Sequence, residues 1–430
     1  MKSIERKIYT DKIKGFIDKR DLIKIITGIR RCGKSEILKL IREEVLKLTT
    51  EDKIVFINFE DIEFDFIKNY KDLYEYVLSK MVGEEKYYLF FDEIQVVDEW
   101  EKAVNSLRMR NTDIFITGSN SRLLSGELAS LLGGRYVQFE IRPLSLKEFI
   151  DFRTAIPFGA MPLPDSDPSK KWMRDNDGFL HRIEVANEIS EYIKLGGFPF
   201  ISTQNLSLEQ ANQIVKDIHS SIVLKDVVSR NSITKVPLLE KIITYFYDNI
   251  GSLTSLRKIA DYISGGDKRK STTNLETIAN YVSYLETAYI LTKVPRYDIK
   301  GKKVFETNDK YYLADHSLAY VVKDISKVNK GGIIENIVHN ELLARGYKIY
   351  VGKLDTKEIN FIAEKNGEKI YVQACLEFTS QDTYNREFDP LKEIKDNYPK
   401  YVVSMDSNAN KNDSGIIGMH LLDFLMKETL

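Results

Sequence analysis

Gly28-Ile29-Arg30-Arg31-Cys32-Gly33-Lys34-Ser35 places two glycines, a lysine and a hydroxyl at the spacing G-x-x-x-x-G-K-S. Such a loop turns consecutive backbone N–H groups onto phosphate oxygens, and a following helix adds the positive end of its dipole. Lys34 is then the cation for the β- and γ-phosphates, and the Ser35 hydroxyl a ligand for Mg2+. The nucleotide contact set read here is Gly28, Arg30, Arg31, Cys32, Gly33, Lys34, Ser35 and Glu36. A thiol beside a helix N-terminus and Lys34 is expected to have a lowered pKa and to react readily. A second cluster, Asp92-Glu93, closes the apolar run Lys86 to Phe91. Asp92 suits Mg2+ held through its water shell, and Glu93 suits the polarisation of an attacking water. ATP and Mg2+ are the cofactors implied.

These groups work only if strands deliver them to one crevice. The apolar run Leu22 to Thr27 reads as a strand before the loop, and Glu36 to Glu44 as an amphipathic helix after it. Lys53 to Phe59 is apolar enough for a buried parallel strand, with Asn58 near its carboxyl end. A helix is expected over 70–81, and a further strand over Asp113 to Thr117. Thr117, Ser119 and Asn120 follow as candidates for sensing the γ-phosphate, with a helix cap at Ser119 to Ser121 the alternative. Tyr136 to Ile141 is the last strand, preceded by Arg135. Strands alternating with helices predict a parallel sheet covered on both faces, with ligand at the strand carboxyl ends.

The whole chain narrows the field. Its 430 residues give room for about three domains at ordinary sizes. A formal net charge of −1 means that any nucleic-acid contact must come from a local patch. No apolar run approaches membrane-spanning length, and the charged start, Met1 to Lys7, lacks a signal core. The only cysteines, Cys32 and Cys375, form no zinc-type spacing. A cytoplasmic protein without a membrane partner is expected.

Gly28-Ile29-Arg30-Arg31 with Gly33-Lys34-Ser35, Phe91-Asp92-Glu93-Ile94-Gln95 with Trp100, Thr117-Gly118-Ser119, Gly134-Arg135, and Pro143-Leu144-Ser145 with Glu148-Phe149 occur together. In this the chain resembles the prokaryotic AAA+ ATPases that carry a C-terminal domain of unknown function. The resemblance covers nearly the whole chain. It implies ATP hydrolysis and a homo-oligomer in which Arg135 reaches the neighbour's γ-phosphate, although a lone arginine after two glycines is otherwise unremarkable. The catalytic set is then Glu93, Arg135 and Asn120, with Ser35 and Asp92 on the metal.

Four further segments follow the core at 1–153. Residues 154–178 hold four of the ten prolines and read as an exposed insertion. Residues 179–234 read as a helical lid, with Arg230 a nucleotide-sensing candidate and a solvated helix-end arginine the preferred alternative. Residues 235–328 read as a winged helix, with a basic loop Lys268-Arg269-Lys270 and a basic wing carrying Lys300, Lys302 and Lys303. DNA contact through these six residues and a purely protein-packing role stand side by side. Residues 329–430 resemble an α/β restriction-endonuclease fold whose chemistry is missing. Glu335 is kept, but Asn360 replaces the aspartate, and Gln373-Ala374-Cys375 replaces Glu-x-Lys. An amide is a poor Mg2+ ligand, and a neutral thiol cannot support the water as lysine does.

The expected fold is α/β: a P-loop AAA+ parallel sheet with a helical lid, a winged helix and a degenerate nuclease-like domain. The expected function is a nucleotide-driven switch or motor on DNA or protein partners. Its rival is a DNA-binding regulator whose oligomeric state ATP gates with little turnover.

Overall fold

A computed structural model describes residues 4–121, 133–155, 182–204, 206–265, 274–305 and 308–430. Contacts divide the chain into two compact units, Met1–Pro143 with Thr287–Tyr289, and Leu144–Glu286 with Ile290–Leu430. The first unit thus ends at Pro143, and the helix Leu146–Ala155, read from sequence as part of the core, groups with the second. Most of the insertion expected at 154–178, and Lys268, Arg269 and Lys270, lie outside the described residues.

The first unit is built on five parallel strands: β1 (Ile23–Thr27), β2 (Ile54–Asn58), β3 (Tyr87–Asp92), β4 (Thr112–Gly118) and β5 (Tyr136–Glu140). They lie in the order β2-β3-β4-β1-β5. Among the described residues four α-helices accompany them: α1 (Lys7–Lys14), α2 (Lys34–Val45), α3 (Tyr70–Lys80) and α4 (Trp100–Arg108). Period-two alternation sorts the strand side chains. Ile23 and Ile25, Val55 and Ile57, Leu89 and Phe91, Ile114 and Ile116 pack in one core with Leu73 and Val77 of α3 and Trp100, Val104 and Leu107 of α4. The helix α2 lies against β1, β3 and β4. The strands read as continuous apolar runs because the sheet is buried almost throughout; β1, β3 and β4 have no exposed residue. Lys24 is the exception in composition, and it is paired with Asp113 on β4, both fully buried.

The second unit begins with helices, Leu146–Ala155, Arg182–Leu195 and Leu208–Ser221, the last running on as a π-turn through Ser229. Helices Val236–Asp248, Leu256–Ile263 and Leu275–Thr287 follow. The helix at Leu275 is opened by Asn274, whose Oδ1 accepts from Glu276 N–H. Strands β6 (Leu291–Val294) and β9 (Lys310–Leu313) then pair as an antiparallel ribbon. Between them, β7 (Arg296–Asp298) and β8 (Lys303–Val304) flank the basic turn.

That turn is not a free wing. It is the edge of an eight-stranded mixed sheet that also contains β10 (Lys348–Leu354), β11 (Lys357–Lys365), β12 (Glu368–Cys375) and β13 (Lys400–Ser404). β7 runs parallel to β10, with Arg296 opposite Val351. Lys300 Nζ is bound to Asp355 at 2.5 Å, while Lys302 and Lys303 are exposed. The helix Lys330–Ala344 packs on β10, β11 and β12. No helix among the described residues is long and apolar enough to cross a membrane.

Candidate functional site

Three neighbouring parallel strands end at one place. β1 runs into the glycine loop, β3 ends in Asp92, and β4 carries Thr117. The loop takes positive φ at Gly28 (+145°), Arg31 (+69°) and Gly33 (+98°), a conformation that only the two glycines adopt without strain. A side chain at Gly28 would collide with the Ile141 carbonyl, which requires glycine there. Gly33 caps α2 without a side-chain hydrogen bond, and a helix N-terminus of this kind favours an anion.

Lys34 is almost fully buried at the loop's mouth. Its Nζ lies 3.2 Å from the carbonyls of Gly28 and Ile29, and 3.6 Å from Glu93 Oε1. The Thr117 hydroxyl donates to Asp92 and accepts from the Glu93 N–H at 2.9 Å, tying β4 to the end of β3. Burial pushes the Asp92 carboxyl above its ordinary range, against hydrogen bonds from the Thr117 and Ser35 hydroxyls. A cation beside Asp92 would offset that burial cost. Ser35 and Asp92 offer one hydroxyl and one carboxylate, the hard-oxygen pair that suits an octahedral ion keeping water and phosphate oxygens. Among the described residues, no group of three or more His, Cys, Asp or Glu side chains could hold a metal.

The other sequence candidates lie as follows. Asn120 is buried just beyond β4. Arg30 is paired with Glu60 at 3.1 Å, and Arg31 is exposed. Glu36 stands in the first turn of α2. Arg135 is exposed before β5, and its carbonyl accepts from Ile23 N–H. Arg230 lies 3.9 Å from Asp226 on its own helix. Cys32 corrects an expectation. Its side chain is fully buried, and burial raises the thiol pKa despite the nearby charges of Lys34 and Arg6. The helix end and lysine are present, but desolvation outweighs them.

Two contacts were not foreseen from sequence. The Arg6 guanidinium, buried before α1, donates to the Cys32 carbonyl at 2.8 Å and so braces the loop from behind. The Gln95 amide donates to Glu93 Oε2. Gln95 stands out in sequence only as part of Asp-Glu-Ile-Gln.

A second polar cleft, about 970 Å³, opens in the C-terminal region of the second unit. The sequence left Glu335 as its lone acid. Instead, Lys310 Nζ sits 2.7 Å from both Glu335 and Glu358, and Tyr312 OH also donates to Glu335. Burial alone would lower the Lys310 ammonium, but the two carboxylates outweigh it and hold the pKa above its ordinary value. Asn360 and Gln373 clamp the strands: Asn360 N–H donates to Gln373 Oε1 at 2.6 Å, and Ala374 N–H to Asn360 Oδ1 at 2.9 Å. Gln373 Nε2 donates to Glu387 at 3.1 Å. Burial and Glu387 push the Cys375 thiol up to about 12, so it is neutral.

The chain is similar to several known proteins. Residues 20–150 match the model of an AAA domain, and residues 186–329 that of a domain of unknown function, DUF8612. An uncharacterised protein of Haemophilus influenzae is 37% identical over 99% of both chains. Another, from Methanocaldococcus jannaschii, is 31% identical over 87% of this chain and 79% of its own. The Aeropyrum pernix Orc1 protein in complex with DNA is a distant likeness of fold. It is 14% identical, covers 80% of this chain and 95% of that one, and has a TM-score of 0.34. The chain belongs to the prokaryotic AAA+ family that the bacterial and archaeal relatives share.

Proposed function

We propose that this AAA+ protein binds ATP with Mg2+ and hydrolyses it, using the cycle to switch a DNA or protein partner held by residues 235–430. One observation carries the reading: Lys34, Asp92, Glu93 and Thr117 converge on the carboxyl ends of adjacent parallel strands, beside a loop of N–H donors. Lys34 and the loop bind the phosphates. Ser35 and Asp92 would hold Mg2+, which supplies charge neutralisation at the β- and γ-phosphates. Glu93 takes a proton from water as the water oxygen bonds to the γ-phosphorus and the bond to the β-phosphate oxygen breaks, giving ADP and phosphate.

Arg135, exposed before β5, supports action on a neighbouring copy and hence a homo-oligomer. Asn120, buried just beyond β4, is the residue proposed to sense the γ-phosphate. Of the basic residues offered to DNA, Lys300 already serves Asp355, so Lys302 and Lys303 are the described pair through which phosphate contact would run. The test is ATP hydrolysis by the wild type and Glu93→Gln, with nucleotide affinity measured in both. Retained binding with lost turnover is expected. Equal turnover would refute the assignment.

A further inference from the structure

We propose that Gln95 is a positioning residue, holding the Glu93 carboxylate in the orientation from which it polarises water; this rests on the reading of Glu93 given above. The two oxygens of that carboxylate have different partners. Gln95 Nε2 donates to Oε2, while Oε1 faces Lys34 Nζ at 3.6 Å. One oxygen is thus held from the turn that follows β3, and the other faces the phosphate loop.

The amide's orientation follows from chemistry. A carboxylate paired with a lysine only accepts hydrogen bonds, so the Gln95 nitrogen must face it. That choice leaves Gln95 Oε1 buried with no hydrogen-bond partner among the described residues. A glutamine turned to solvent would carry no such burden, so the contact with Glu93 is kept at a cost.

The turn that presents Gln95 is fixed at both ends. Glu93 and Glu99 both adopt left-handed backbone, at φ +55° and +54°, although neither is glycine. Such outliers persist only where the surroundings enforce them, and they concentrate at working sites. Here Ile94 and Val97 are buried in the core. Asp98 donates its N–H to the Lys68 carbonyl and accepts from Tyr70 N–H, each at 2.9 Å. Asn58, the amide at the end of neighbouring β2, uses its Oδ1 to accept from Glu60 N–H at 3.1 Å.

The experiment compares the wild type with Gln95→Met, which keeps length and bulk but loses the donor, and Gln95→Glu, which sets a second carboxylate against Glu93. Each is also made in the Glu93→Gln background. ATP turnover is followed with KM, and affinity is read separately with a fluorescent ATP analogue. Gln95→Met should lower kcat about 10-fold or more, the scale of losing a hydrogen bond to a charged group. KM and analogue affinity should stay within about twofold, and Gln95→Glu should lower kcat further. In the Glu93→Gln background, Gln95→Met should cause no additional loss, because the group it positions is gone. Wild-type kcat in Gln95→Met, or an equal additional loss in the Glu93→Gln background, would overturn the proposal while leaving Glu93 in its role. Undiminished turnover in Glu93→Gln would overturn the reading of Glu93, and the role of Gln95 with it.

Discussion

Lys34 in the first unit and Lys310 in the second are both buried lysines facing carboxylate, and the two are built to opposite ends. In the first, Lys34 stands 3.6 Å from Glu93, and its closer partners are backbone carbonyls of the loop itself. In the second, Lys310 is gripped at 2.7 Å by Glu335 and Glu358 together. A loosely held cation can exchange its contacts for an incoming phosphate. One clamped between two carboxylates has its charge already answered, and pulling it away would leave two acids unpaired. The lesson is that residue types do not define a site; the slack in their geometry does.

The widest separation between the two is expected on removing each lysine. Lys34→Ala should abolish ATP binding, read by titration with a fluorescent analogue, with little change in the urea midpoint. Retained affinity would mean that the loop binds phosphate without its side-chain cation. Lys310→Met should do the reverse. It strands Glu335 and Glu358 and should destabilise the protein by about 3–5 kcal/mol, the scale for breaking one side of a buried pair. Urea unfolding of the full chain measures this, and Lys310→Met with Glu335→Gln should recover part of the loss. An unchanged midpoint would show that the cluster is no brace.

Sequence made the first site legible because its chemistry is written in short runs. The glycine loop and Asp92-Glu93 each carry their own context, and the strands around them are apolar throughout. The second cluster could not be read that way. Lys310, Glu335 and Glu358 come from a ribbon strand, a helix and a sheet strand, and no spacing links them. Asn360 and Gln373 stood out as missing catalytic groups, whereas in the structure they bridge neighbouring strands. The basic turn at 298–303 has the composition of a wing, but backbone pairing with β10, invisible in composition, makes it a sheet edge. Cys32 failed for a related reason: charge neighbours are visible in sequence, and complete burial is not.

A smaller effect separates the units by pH. His219, half-buried on the helix Leu208–Ser221 beside the Tyr247 ring, has its pKa lowered to about 4 by desolvation. A group whose folded pKa lies below its unfolded value stabilises the fold above the unfolded pKa, and that contribution is lost as pH falls. Stability should therefore drop between about pH 6.5 and 4, by at most roughly 3 kcal/mol for about 2.5 pKa units. His219→Phe should flatten this dependence in thermal melts taken across that range. A slope equal to that of the wild type would show that His219 is not its source. The smallest effect concerns Cys32. Its raised pKa and burial predict negligible alkylation of the native protein by iodoacetamide at neutral pH, with or without ATP. Rapid labelling seen by mass spectrometry, and blocked by ATP, would restore the reactive-thiol reading.

The contrast between a working and a bracing carboxylate is tested most directly by ATP hydrolysis in Glu93→Gln and Glu335→Gln, measured side by side at a temperature where both are folded. Glu93→Gln should lose about 10²–10⁴-fold in kcat, the range for a positioned general base. Glu335→Gln should turn over ATP at close to the wild-type rate. Comparable losses in both, or full activity in Glu93→Gln, would contradict the division of labour.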